Sequence, residues 1–201
     1  MNSKKKKSSK TLLYTGLCLI LMVFLDQMTK LLAILHLKDQ EPISIIDGVF
    51  ELKYLENQSA AFSMDPISII HRLFSISYFD KHPTVFLRCK MFFFITLTIL
   101  VLIFLYRLYV RIPWERRYLP LNLIIVGFSA GAIGNVIDRI IHNYVVDFLY
   151  FRLINFPVFN VADIYVTVAA ISVVIVVLFV YHEEDFEQLF PSKKKQENQE
   201  Q

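Results

Sequence analysis

Apolar residues in this chain gather into four long runs, at about 11–37, 89–106, 119–141 and 161–181, with polar stretches between them. A helix of roughly 20 apolar residues crosses a bilayer, so the pattern predicts four membrane spans. The third run holds Gly127, Ser129, Ala130, Gly131, Ala132 and Gly134. Small residues at that density let helices approach closely. The segment 38–90 has a different pattern. Gly48 to Leu55 alternates apolar and polar, which predicts a β-strand. Asn57 to Ser63 is small and polar, a turn into a second short strand. Ile69, Ile70, Leu73, Phe74 and Ile76 predict a helix over 67–79 lying on the membrane surface, with His71 and Arg72 on its wet side. His71 and His82 are isolated and read as solvated histidines.

Composition agrees with a membrane protein: 55% of the 201 residues are hydrophobic. The formal net charge of +3 hides an uneven distribution. Lys4–Lys7 and Lys10 precede the first span. Arg107, Arg111, Arg116 and Arg117 face one acid, Glu115, between the second and third. Lys193–Lys195 follow the fourth. Short basic segments stay in the cytoplasm, so both ends and the 107–118 loop are placed inside, with 38–90 and 142–160 outside. A basic tail beside a span is explained by orientation and anionic lipid, so no nucleic-acid partner is expected. The division is a basic cytoplasmic tail at 1–10, one membrane domain at 11–181, and an unfolded cytoplasmic tail at 182–201.

Basic residues before an apolar run also fit a secretory leader, and Thr15-Gly-Leu-Cys18 hints at a lipid-attachment cleavage box. Leu17 is bulky where such a box needs a small residue, and the run continues well past Cys18. The reading is a retained first span. Cys18 and Cys89 give neither a metal spacing nor a disulfide framework. Cys18 reads as inert packing, and Cys89 as the start of the second span.

With this orientation, Asn135, Asp138, Arg139, Asp147, Asn160 and Asp163 fall at one depth near the outer surface, together with Asp26 and the Asn57 loop. Asp at the centre of a span costs roughly 2.5–3.5 kcal/mol, less near an interface, so an acid there points to a functional site. A structural use is also open to Asp163: Asn160 can be the N-cap of the fourth span and Asp163 its third residue, both serving free N–H groups. Asp26 and Lys30, four residues apart, can form a structural ion pair, with Lys30 snorkelling to the interface. Ser63 and Ser129 have no evident base, no His-Glu-x-x-His set is present, and no Gly-rich loop cradles a phosphate. What remains is a pair of aspartates. Two close carboxylates share one proton; the ionised one can deprotonate water while the protonated one polarises a peptide carbonyl. The partner of Asp163 is Asp138 or Asp147. Asp138 sits beside Arg139, which can satisfy it. Asp147 lies in the apolar Val145-Val-Asp-Phe-Leu-Tyr-Phe151 with no adjacent cation, and is the better catalytic candidate. A proton-relaying transporter and a non-enzymatic scaffold are the alternatives; a transporter calls for acids at mid-membrane or on both sides.

Five blocks resemble the lipoprotein signal peptidases, the signal peptidase II family: Asp26-Gln-Met-Thr-Lys30; Asn57 to Ser63; Gly134-Asn-Val-Ile-Asp-Arg139; Val145-Val-Asp-Phe148; and Phe156-Pro-Val-Phe-Asn-Val-Ala-Asp163. They come in the family's order on four spans. The resemblance implies an all-α membrane protein, a four-transmembrane-helix bundle with a small extracytoplasmic β-cradle and an interfacial amphipathic helix. It implies an aspartic endopeptidase of the bacterial inner membrane that cuts a diacylglyceryl-modified prolipoprotein just before the lipidated cysteine. It carries the catalytic pair onto Asp147 and Asp163. It places Asn57, Asn135, Arg139 and Asn160 against substrate, and makes Asp26, Lys30 and Asp138 supports, Asp138 through Arg139. Neither metal nor other cofactor is implied; the expected form is a monomer in contact with membrane lipid, and the family is the target of the cyclic peptide globomycin. The chain departs from the family at Ser59, Asn143 and Ala169, where Gly is usual or common, and its 64–90 segment is longer than usual. Asn tolerates the left-handed backbone that Gly allows, so Asn143 is a mild change.

Overall fold

The computed structural model describes residues 9–59, 65–74 and 76–189. Four of its helices are long and apolar enough to cross a membrane: Thr11–Leu37, Pro83–Arg111, Arg116–His142 and Val161–Val180. In order, the elements are α1 (Ser9–Leu37), β1 (Ile43–Ile46), β2 (Phe50–Asn57), α2 (Pro66–Phe74), α3 (Ser77–Lys81), α4 (Pro83–Arg111), α5 (Leu119–His142), β3 (Val145–Phe151), α6 (Val161–Ile175) and α7 (Glu183–Leu189). The last turn of the fourth span, Val176–Val180, is a π-helix.

The spans carry Leu, Ile, Val and Phe on their outer surfaces, among them Leu13, Ile20, Phe92, Phe104, Val168 and Phe179. An apolar exterior of this extent is stable only against lipid. Inside, α5 is the central post, and α1, α4 and α6 all pack on it. The small residues of α5 set its approach to α6: a Cβ added at Gly131 would lie 2.5 Å from the Ala162 carbonyl oxygen. At Gly134 a Cβ would run into the Asp26 carboxylate. Among the spans, α4 leans chiefly on α5.

Outside the bundle, β1, β2 and β3 form an antiparallel sheet in that order. The start of β3 is buried on both faces. Val146 and Phe148 pack with Ala33 and Leu37 of α1, so Asp147, between them, points the other way. Phe159 then pairs with Leu149 by reciprocal backbone bonds of 2.8 and 2.9 Å. That brings the chain alongside β3 just before α6 starts.

Several expectations need correction. The strands that pair with β2 are β1, before it, and β3, far on in the chain (Asn57 opposite Val145); the second strand expected after Asn57 falls largely on residues 60–64, outside those described. The second span starts at Pro83, not Cys89, because Lys90, which breaks the apolar run, is buried against Asp65. The surface helix is two pieces, α2 and α3, joined near Ile76. His71 is half-buried, with Nε2 3.2 Å from Asp80 Oδ1 and rings of Phe79 and Phe86 beside it, so it is not simply solvated. Part of the 182–201 tail is folded: α7 docks through buried Leu189, and Asp185 takes two bonds from Arg117, at 3.0 and 2.6 Å. Both cysteines are exposed, so Cys18 is not packed inside the bundle.

Candidate active site

Polar residues from three spans and two strands meet where the sheet sits on the bundle. Asp147 is 1% exposed. Its Oδ2 accepts from Asn57 Nδ2 at 2.8 Å and its Oδ1 from Asn160 Nδ2 at 2.7 Å. Asn57 is the last residue of β2, and its own Oδ1 accepts from the Ser59 N–H at 2.9 Å, which turns the chain there. Burial pushes the Asp147 carboxyl up to about 7, with the charge of Asp163 adding to the rise and the Asn57 and Asn160 donors opposing it.

Asp163 enters from the first turn of α6. Asn160 caps that helix: its Oδ1 accepts from the Asp163 N–H at 3.0 Å, and Asp163 Oδ2 accepts from the Asn160 N–H at 3.2 Å. The capping reading of this segment is thus realised. The same two side chains also face the other polar groups. Asp163 Oδ1 accepts from Asn135 Nδ2 at 2.8 Å, and Asn160 Nδ2 reaches Asn135 Oδ1 at 3.1 Å as well as Asp147. Asn160, fully buried, therefore links the two aspartates. Asp163 is half-buried, so the pair has a covered member and an open one.

Beneath them lies a buried charge cluster. Lys30 Nζ is 2.9 Å from Asp26 Oδ2, 3.0 Å from Asp138 Oδ2 and 2.9 Å from Asn135 Oδ1. At 2% exposure it does not snorkel. A second acid from α5 gives the ammonium a full set of partners, and a buried cation so paired has no reason to reach for water. The third oxygen contact passes straight to Asn135. Asp26 also accepts from the Ala162 N–H at 2.8 Å, so it serves the free start of α6. Asp138 does not pair with Arg139, its sequence neighbour. Its carboxylate takes Lys30, Gln27 Nε2 at 3.0 Å and the Val146 N–H at 3.0 Å, which fixes the start of β3. Gln27 has a further bond to the Gly134 carbonyl at 3.1 Å and has no role in the sequence reading; an amide beside Asp26 in an apolar run was the available signal.

Arg139 stands apart from this cluster. It bonds the Asn135 carbonyl at 3.3 Å and the Ser59 carbonyl at 3.4 Å, with Phe94 of α4 against its guanidinium. Asn143, one of the departures noted above, closes α5 at φ 63°, in the left-handed region Asn tolerates.

Fold and site together define a multi-pass membrane protein with a buried-and-open pair of aspartates at one end of its bundle. A family model described as signal peptidase (SPase) II matches residues 18–179. A lipoprotein signal peptidase of Clostridium tetani is 31% identical over 173 residues, covering 84% of this chain and 93% of that relative. One from Streptococcus pyogenes is 32% identical over 170 residues, covering 85% and 94%. A bacterial membrane enzyme solved by the in meso method at 1.9 Å superposes with a TM-score of 0.65 at 26% identity, covering 90% of this chain and all of that one. Another, solved at 2.3 Å, gives 0.63 at 24% identity and supports the fold alone. The chain belongs to the signal peptidase II family of membrane peptidases.

Proposed function

We propose that this protein is an aspartic endopeptidase of the bacterial cytoplasmic membrane, with both termini inside and its site at the outer face. Its substrate is a diacylglyceryl-modified prolipoprotein, cut before the lipidated cysteine. The observation that carries the reading is the Asp147–Asn160–Asp163 arrangement: the Asn160 side-chain amide donates to the covered carboxyl while its backbone N–H donates to the open one. Family membership and the names of the relatives supply the substrate class.

The chemistry follows from one proton shared by two carboxyls. Asp147, the covered member, holds it, hydrogen-bonds the scissile carbonyl oxygen and transfers the proton to that oxygen as the water adds. Asp163, the open member, takes a proton from water as the water oxygen bonds the carbonyl carbon. The product is a neutral gem-diol. Asp163 then passes its proton to the amide nitrogen, the C–N bond breaks, and a diol proton returns to the pair. The cysteine leaves with a free amine and the signal peptide with a carboxyl group. Asn57, Asn135 and Asn160 hold the carboxyls in place; Arg139 and the amides receive substrate carbonyls. Asp26, Lys30, Gln27 and Asp138 keep α1, α5, β3 and α6 in register beneath. Acids gathered at one end of the bundle suit this better than a transmembrane proton relay.

The test is cleavage of a diacylglyceryl-modified prolipoprotein by purified protein in detergent. Asp147→Asn and Asp163→Asn, checked for folding, are each expected to lose about 10³-fold or more in kcat, since each removes general acid–base catalysis. A folded Asp147→Asn enzyme that still cuts at the wild-type rate would sink the assignment.

A further inference from the structure

We infer that Phe94, in the second span, is a positioning residue: its ring holds the Arg139 guanidinium in place for substrate. This rests on the peptidase reading above. The Arg139 Cζ lies 5.1 Å from the Phe94 ring centroid. Its other fastenings are weak. The bonds to the Asn135 and Ser59 carbonyls are long, at 3.3 and 3.4 Å. Its Nε is buried with no hydrogen-bond partner among the described residues. The acid beside it in sequence, Asp138, is taken up by Lys30, Gln27 and the Val146 N–H. Arginine presents five N–H donors in a planar fork, so most of this fork is uncommitted. An aromatic face can fix such a cation without using a single donor. A carboxylate in its place would hold it more firmly and occupy the donors that a substrate carbonyl needs.

The ring itself is well fixed. Phe94 is 6% exposed, lies edge-on to Phe93 at 5.6 Å, and its carbonyl accepts from Thr98 at 2.8 Å. One turn earlier, Lys90 pairs with Asp65, which caps the start of α2 through the Ile67 and Ser68 N–H groups. Ser59 is thus held by Arg139, and Asp65 by Lys90 of α4. In this account α4, whose main packing is against α5, reaches the site through Phe94.

The experiment replaces Phe94 with 4-fluoro-, 3,5-difluoro- and 3,4,5-trifluorophenylalanine, which weaken the ring's attraction for cations stepwise with little change in shape. Phe94→Leu and Phe94→Tyr run alongside, with the lipidated prolipoprotein as substrate. KM is expected to rise with each fluorine, to about tenfold in the trifluoro and Leu proteins, with kcat changed less than about twofold and Phe94→Tyr near wild type. A KM that is flat across the fluorine series overturns the inference, as does an equal loss in the Leu and Tyr proteins, which would mark packing alone. NMR of ¹⁵N-arginine protein gives a reading independent of turnover. The Arg139 side-chain N–H signals, identified by their loss in Arg139→Lys, should be shifted by the Phe94 ring current and move to ordinary positions in Phe94→Leu; signals unmoved by that change refute the contact. A wild type that cuts nothing counts against the peptidase reading, while the NMR result still decides whether Phe94 holds Arg139.

Discussion

Asp147 gives the site its pH response. Its carboxyl is pushed up to about 7, against about 3.9 for an exposed aspartate. Above that point, on the proposed mechanism, the covered member loses the proton that polarises the substrate carbonyl. kcat/KM is therefore expected to fall about tenfold per pH unit above roughly 7, as a pH–rate profile on the lipidated substrate will show. Stability must move as well. Below the ordinary aspartate range both folded and unfolded chains are protonated, and Asp147 costs nothing. As pH rises from there to about 7 the unfolded chain ionises first, so the folded state loses on the order of 4 kcal/mol, levelling off above. Thermal unfolding in detergent should show Asp147→Asn without this decline, and more stable than wild type at pH 8. In Asp163→Asn the neighbouring charge is gone, so the upper end of the decline should move to lower pH. An unchanged decline in Asp147→Asn would mean another group titrates.

The elements that aim these side chains depend on one close crossing. A Cβ at Gly131 would meet the Ala162 carbonyl oxygen at 2.5 Å and Val166 Cγ2 at 2.6 Å. Backbone cannot yield as a flexible side chain can, so Gly131→Ala must push α6 away from α5. Overpacking of this kind costs about 1–3 kcal/mol, and Asp163 and Asn160 move with the helix. A displacement of about 1 Å at reacting groups can cost about 10²-fold in rate. The folded Gly131→Ala protein is expected to lose activity on that order; a folded variant with wild-type kcat would show that the crossing does not set the site. The density of small residues made this contact legible in sequence, as the asparagine and the third-position acid made the α6 cap legible. The sheet was less so. β1 is four residues of Ile-Ser-Ile-Ile, exposed throughout, and its periodicity is too short to mark a strand. The tail helix α7 was missed because its docking depends on Arg117, far off in sequence, and on a few apolar contacts. Lys30 was misread for a related reason: Asp26 on its own helix satisfies part of the ammonium, and only the fold brings Asp138 and Asn135 to the rest.

Apolar length marked the spans and charge bias the proposed orientation, because both act over a whole segment and survive errors at any one residue. The four spans were legible for that reason, and so was the gathering of Asp26, Asn57, Asn135, Asp138, Arg139, Asp147, Asn160 and Asp163 at one end. Apart from the Asn160–Asp163 cap, the partners within that cluster were not, since contacts among eight polar groups depend on helix rotation and strand direction rather than depth. Which way the chain faces rests on its basic segments, and it can be measured directly. With Cys18→Ser and Cys89→Ser as background, single cysteines at Lys53 on β2 and at Arg116 before α5 sit at opposite ends of the bundle, both exposed. A membrane-impermeant maleimide applied to intact spheroplasts should label Lys53→Cys at once, and Arg116→Cys only after the membrane is opened. In the proposed orientation Arg107, Arg111, Arg116 and Arg117 lie inside and hold it by the charge bias of short loops, so the same labelling should weaken at position 53 when the four are replaced together by neutral residues. Labelling of position 116 in intact cells would invert the topology. The aspartate pair would then face the cytoplasm, where an exported lipoprotein's cleavage site does not lie, and the peptidase reading would have to be abandoned along with the orientation.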